Sequence, residues 1–200
     1  MKDDAMERFE RHEQKETVIY GGAFNPPTLA HVAILKACFE YAEIRDAEVW
    51  VMPSGDRVDK TIGATRERRL EYTQAMINDA EGNDRDVSVQ TLELDRPVAV
   101  ETIDTLHELQ TTHPDRTFSF VFGADSTETM ADWKGGEELL EELPMLVVER
   151  EGSRINPLAK HVTRLSVSIP GVSSTLVRQR LEKGEAIDDL VSPQVALLLV

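Results

Sequence analysis

Short apolar runs alternate along this chain with longer stretches of helical period. Thr17-Val18-Ile19-Tyr20 is the first such run; broken by Gly21-Gly22, it reads as a buried strand. The period then changes. From Leu29 to Tyr41 the apolar residues Val32, Leu35 and Phe39 share one helical face. Glu48–Met52 predicts a second strand, stopped by Pro53-Ser54-Gly55. A helix is expected over Thr65–Ala80, with Thr65 as its N-cap and Gly82 beyond its end. Val87–Leu92 predicts a third strand and Glu101–Gln110 a third helix. Strands follow at Thr117–Phe122, Met145–Val148 and Leu165–Ile169, and helices at Ser174–Glu182 and Pro193–Val200 close the chain.

This alternation predicts an α/β domain built on a mainly parallel sheet. No repeat, low-complexity tract or Gly/Pro/Ser-rich linker divides the chain. Residues 1–15 are highly charged with little to bury, so they are expected to form a flexible extension before a single domain at 16–200. The apolar end Ala196–Val200 suits a helix docked on the core.

Composition narrows the function classes. The chain has 200 residues, one cysteine (Cys38) and a formal charge of −15. That charge disfavours nucleic acid and anionic membranes, whose binding rests on a basic surface. It leaves a small nucleotide possible, held by a few cations and backbone N–H groups. No apolar run approaches the roughly 20 residues of a membrane helix, and Met1–Glu16 lacks the apolar core of a signal peptide. A lone cysteine fits a reducing cytoplasm and rules out a disulfide framework or a cysteine-rich zinc site. His12, His107, His113 and His161 show no metal-like spacing, and no metal-binding residues are assigned.

Two elements carry candidate chemistry. In Gly21-Gly22-Ala23-Phe24-Asn25-Pro26-Pro27-Thr28-Leu29-Ala30-His31, the glycines are expected to turn the backbone sharply and admit a polyphosphate. The prolines would place Thr28 at a helix start, and Thr28 and His31 share a face one turn apart. In Ser173-Ser174-Thr175-Leu176-Val177-Arg178, hydroxyls and a guanidinium open a later helix, a second anion site. Taken singly, the first also reads as a cap beside a surface histidine, and the second as a cap before a solvated arginine.

Together these elements resemble the nucleotidyltransferase superfamily, with its (His/Thr)-x-x-His and Ser-x-Thr-x-x-Arg motifs. Within it the chain resembles the nicotinate-nucleotide adenylyltransferase family, over Val18 to Val195. Further matches follow in order: Pro53-Ser54-Gly55 and Lys60, Glu93 with Arg96, Thr102-Ile103-Asp104-Thr105-Leu106, Gly123-Ala124-Asp125, Trp133-Lys134 and Val147-Val148-Glu149-Arg150. The resemblance implies a Rossmann-like, doubly wound sheet and adenylyl transfer from ATP to nicotinate mononucleotide, giving deamido-NAD and pyrophosphate. It implies that His31 and Thr28 donate to the α-phosphate, while Arg178, Ser173, Ser174 and Thr175 hold the β- and γ-phosphates and Lys60 clamps phosphate. Gly21, Gly22, Ala23, Phe24, Asn25, Gly123 and Asp125 would line ATP, with Asp125 on the ribose. Thr102, Trp133 and Arg150 would meet the mononucleotide, with Trp133 stacking on the pyridine. Mg²⁺ would be held mainly by ATP phosphates and water.

Three positions depart from the family pattern. Thr28 replaces a histidine, Ala30 a glycine, and Val100-Glu101 stands where Ser-Tyr is usual, beside the pyridine substituent. Pointing inward, Glu101 would suit nicotinamide better than nicotinate; facing solvent, it would leave recognition to backbone N–H groups, so nicotinamide mononucleotide stays a second candidate acceptor. The same two loops would also serve a phosphopantetheine or alcohol-phosphate transferase, or a non-catalytic nucleotide sensor. Oligomeric state is open, a homo-oligomer included.

Overall fold

The computed structural model describes residues 14–55, 63–82, 85–96, 98–149 and 152–199. Lys60, Arg150 and nearly all of the expected N-terminal extension lie outside the described residues; Lys15, placed in that extension, opens the first strand.

Six strands form one parallel sheet in the order β3-β2-β1-β4-β5-β6. They are β1 (Lys15–Gly22), β2 (Glu48–Pro53), β3 (Val87–Val89), β4 (Arg116–Gly123), β5 (Met145–Val148) and β6 (Val162–Leu165). The chain winds outward from β1 to β3, then crosses to β4 and winds the other way. This is the doubly wound order, and its switch point lies between β1 and β4. Beyond Ile19 and Phe120 these two strands no longer pair, whereas β1 stays paired with β2 as far as Gly22 and Pro53. A crevice therefore opens at their carboxyl ends.

Continuous apolar strands need cover on both faces. Side-chain alternation sends Val18, Tyr20, Val49, Val51, Val121, Leu146 and Val148 into one core. There they meet α1 (Leu29–Arg45), α2 (Arg66–Asp79), α6 (Ser174–Lys183) and α7 (Pro193–Leu197). Ile19, Trp50, Met52, Phe118, Phe120, Met145 and Val147 face the opposite layer. That layer holds α3 (Thr102–Thr112), α4 (Ala124–Thr129), a 3-10 turn at Met130–Asp132, and α5 (Gly136–Glu142). Each fully buried aliphatic side chain contributes about 1.5–3 kcal/mol, so the two layers hold the sheet far more firmly than any surface pair.

At the amino edge Glu48 gathers Lys15 Nζ at 2.6 Å, the Trp50 indole N–H at 3.1 Å and the Arg116 guanidinium. Burial alone would raise its carboxyl. The hydrogen bonds from Arg116, Lys15 and Trp50 outweigh that and bring it down to about 2.

The structure departs from the sequence reading in four places. Strand β6 runs over Val162–Leu165 rather than Leu165–Ile169; Val167 and Ile169 pack on the core without pairing. Strand β3 stops at Val89, and residues to Leu92 leave the sheet. Between β4 and β5 lie α4, the 3-10 turn and α5, elements too short to show a clear period. Helix α7 ends at Leu197 rather than Val200; it docks through Val195, with the Asp79 carboxylate accepting from the N–H groups of Gln194 and Val195.

Candidate active site

The crevice is floored by the loop joining β1 to α1. Its sharp turn is made not by the glycines but by Phe24, whose φ is 44°. Gly21 and Gly22 remain in β1, paired with Met52 and Pro53. Glycine is still required at 22: a Cβ there would lie 2.8 Å from the Phe24 ring. That ring is buried, edge-on to Tyr20 and to His31 with centroids 5.5 Å away in each case. Phe24, expected along ATP, is thus a core residue that props the histidine.

Thr28 is the N-cap of α1 and is fully buried. Its backbone N–H donates to His31 Nδ1 at 3.0 Å, and its hydroxyl lies 2.8 Å from the same nitrogen. The buried hydroxyl is turned to the ring nitrogen of His31. Because a backbone N–H only donates, Nδ1 must accept, and the ring proton sits on Nε2.

The second element meets the first directly. Ser174 Oγ donates to Pro26 O at 2.8 Å, and Arg178 Nη1 donates to Asn25 O at 2.6 Å. Arg178 Nη2 also donates to Thr175 Oγ1 at 3.2 Å. Ser173 caps α6, its hydroxyl accepting from the Leu176 N–H at 3.2 Å; Ser173 and Thr175 are exposed at the helix start. Two candidate anion elements distant in sequence are thus joined directly.

Across the switch point, Gly123 caps α4 and Asp125 lies exposed in its first turn, so Asp125 is not itself the cap. Its carboxylate folds back over Gly123, where a Cβ would collide with it. Trp133 follows the 3-10 turn, half-buried, with its ring edge against Phe122 at 6.1 Å. Thr102 opens α3 with Glu101 as N-cap, whose side chain makes no cap hydrogen bond. The Trp133 turn and the start of α3 are tied together. Lys134 Nζ lies 2.7 Å from both oxygens of Asp104, and Ile103 packs where a Cβ on Gly135 would fall.

One residue escaped the sequence reading. Arg69 sits in the charged run Arg66-Glu67-Arg68-Arg69, yet it is 2% exposed. Its Nε donates to Ala23 O at 3.0 Å and its Nη2 to Ser54 O. The sequence signal for it was spacing, one turn ahead of the buried Tyr72 and Thr73 and two turns ahead of Met76. Near it, burial raises the Glu93 carboxyl, partly offset by Thr105 Oγ1 at 2.8 Å, the Gly55 N–H and the Arg69 charge.

Two joined loops at the switch point of a doubly wound sheet, each opening a helix, have the arrangement expected of a nucleotidyltransferase. The sequence model of the cytidylyltransferase-like family matches residues 19–180. The chain is 34% identical to the "Probable nicotinate-nucleotide adenylyltransferase" of Exiguobacterium sibiricum, covering 90% of this chain and 94% of that one. It is 32% identical to the protein of the same name from Salinibacter ruber, covering 88% and 91%. In fold it resembles the Plasmodium falciparum nicotinic acid mononucleotide adenylyltransferase complexed with NaAD. There the TM-score is 0.80 at 24% identity, over 92% of this chain and 94% of that one. The chain belongs to the nicotinate-nucleotide adenylyltransferases of the cytidylyltransferase-like family.

Proposed function

We propose that this enzyme transfers AMP from ATP to nicotinate mononucleotide, giving deamido-NAD and pyrophosphate. The observation that carries the reading is the junction of the two anion elements, Arg178 on Asn25 O and Ser174 on Pro26 O, beside a histidine held in one tautomer. The names of the relatives supply the acceptor.

In this reading an oxygen of the mononucleotide phosphate attacks the α-phosphorus of ATP. The bond between the α-phosphorus and the oxygen that bridges to the β-phosphorus breaks, and pyrophosphate leaves carrying that bridging oxygen. The protein forms no covalent bond; it aligns two anions and stabilises charge on phosphoryl oxygens. His31 donates from Nε2 to an α-phosphate oxygen, and Thr28 fixes the ring from beneath. The hydroxyls of Ser173 and Thr175 and the helix-start N–H groups of Ser173, Ser174 and Thr175, with Arg178, receive the β- and γ-phosphates. Asp125 takes the adenosine ribose, and Trp133 offers its face to the pyridine ring. Lys60 and Arg150 remain proposed phosphate and acceptor contacts.

Among the described residues no three His, Cys, Asp or Glu side chains gather to hold a metal. Mg²⁺ would accompany the ATP substrate, held by its phosphates and water, and would screen the charge of the polyphosphate. Among those residues no helix is long and apolar enough to cross a membrane, and a cytoplasmic setting accords with the buried free thiol of Cys38.

The test is product identity. Mass spectrometry of a reaction with ATP and nicotinate mononucleotide should find deamido-NAD and pyrophosphate in equal amounts. ATP binding without turnover would instead favour a nucleotide sensor.

A further inference from the structure

Strands β1 and β2 pair up to Gly22 and Pro53, and one more rung joins the Ser54 N–H to Gly22 O at 2.9 Å. The pairing ends there, and the next outward carbonyls, Ala23 O and Ser54 O, have no strand partner. Arg69 bridges them, one from each loop, with adjacent nitrogens of a single guanidinium. The planar fork thus extends the ladder past its last backbone rung.

The same residue lies beside Glu93, whose carboxylate accepts from the Gly55 N–H and from Thr105 Oγ1 at 2.8 Å. The backbone approach is close here as well: a Cβ on Gly55 would lie 2.5 Å from Glu93 O. Thr105 stands one turn into α3, whose first residue is Thr102 and whose Asp104 binds Lys134, next to Trp133. A largely buried polar chain, with Ser54 and Glu93 half-buried, therefore runs from the ATP loop through Arg69, Ser54-Gly55, Glu93 and Thr105 to the segment assigned to the acceptor. Apart from Ala23, Thr102 and Trp133, none of these groups has a place in the adenylyl-transfer mechanism.

We infer that Arg69 and Glu93 are positioning residues that hold the ATP loop and the acceptor segment in register, so that the acceptor phosphate meets the α-phosphorus in line. The inference rests on the adenylyl-transfer reading and adds how its two half-sites are coupled. Such a coupling acts on the transition state rather than on either substrate alone. A small misplacement of two bound reactants costs about a hundredfold in rate while leaving each one bound.

The experiment uses the full chain and compares Arg69→Lys with wild type, measuring turnover and, by calorimetry, binding of ATP and of nicotinate mononucleotide separately. Lysine keeps the charge but cannot span two carbonyls with a planar fork. The expected result is a fall in kcat of about 10- to 100-fold with each single-substrate Kd changed by less than about threefold. Guanidinium ion added to Arg69→Ala should restore part of the lost kcat, and ammonium should not. Arg68→Lys, an exposed neighbour on the same helix, should match wild type.

Wild-type kcat in Arg69→Lys would overturn the inference. So would a loss wholly accounted for by weaker ATP binding, since Arg69 would then only shape the ATP loop. If Arg69→Lys does not fold, Glu93→Gln and Thr105→Val test the distal links, and the same selective loss of kcat is expected; normal kcat in both overturns the coupling. A wild type that transfers no AMP would be seen before any variant is made, and it would remove the functional reading together with the inference.

Discussion

His31 Nδ1 accepts from the backbone N–H of Thr28 at 3.0 Å, with the Thr28 hydroxyl 2.8 Å away on the same side. The motif that reads in sequence as two phosphate donors is in space a histidine and the residue that orients its ring. Thr28→Val removes the hydroxyl but keeps the backbone donor. One hydrogen bond of about 1 kcal/mol then predicts a kcat reduced about fivefold, with the KM for ATP little changed. Thr28→Ser should stay close to wild type. His31→Ala removes the proposed donor itself and should cost about 100- to 1,000-fold in kcat. Steady-state kinetics of the variants checks all three; equal losses in Thr28→Val and His31→Ala would contradict this division of roles.

Arg178 does two things that lysine cannot combine: it binds Asn25 O and Thr175 Oγ1 while bringing charge to the joined loops. Arg178→Lys should lower kcat/KM for ATP by about 10- to 100-fold, the scale of a lost charge-assisted hydrogen bond. Ser174→Ala loses only the tie to Pro26 O and should lower stability by about 1 kcal/mol. Chemical denaturation separates the two: a stability loss in Arg178→Lys large enough to explain its kinetics would count against a role in the site.

Glu101 caps α3 with its backbone, leaving the side chain out of the cap. Placed beside the pyridine substituent, its charge would oppose a carboxylate by about 1 kcal/mol through water at 4 Å. Glu101→Gln should therefore raise the kcat/KM ratio of nicotinate to nicotinamide mononucleotide about fivefold. An unchanged ratio would mean that Glu101 faces solvent in the bound state.

The amino edge of the sheet sets an acid limit. Although burial opposes it, the hydrogen bonds from Arg116 and Lys15 hold Glu48 at about 2 against its ordinary 4.5. A depressed carboxyl adds stability that is fully present above pH 4.5 and is lost as pH falls through about 2. The contribution is at most about 3 kcal/mol, less for screening of the part-exposed Lys15. The stability gap between wild type and Glu48→Gln should shrink steadily over that window. A gap independent of pH would assign the stabilisation to packing.

Much of this was legible in the chain. The apolar runs marked five of the six strands because each must bury two faces, and the order of short strand and helix implied the parallel sheet. What failed to show has identifiable causes. Phe24 at positive φ has no local signature, since the penalty is offset by burying its ring between Tyr20 and His31. Arg69 looks like its exposed neighbours because its partners are carbonyls from loops far away in sequence. The alternation over Leu165–Ile169 is real, but Val167 and Ile169 pack without a neighbouring strand to pair with. The inward turn of the Thr28 and Phe24 side chains was not legible from motif position, because a motif gives spacing and not which way a side chain faces.

The most direct measurement is the rate of pyrophosphate release from Mg·ATP with nicotinate mononucleotide, nicotinamide mononucleotide or phosphopantetheine supplied in parallel. Release should require a pyridine mononucleotide, be fastest with nicotinate mononucleotide, and collapse in His31→Ala. Release driven by phosphopantetheine, or none with any acceptor despite ATP binding, would contradict the assignment.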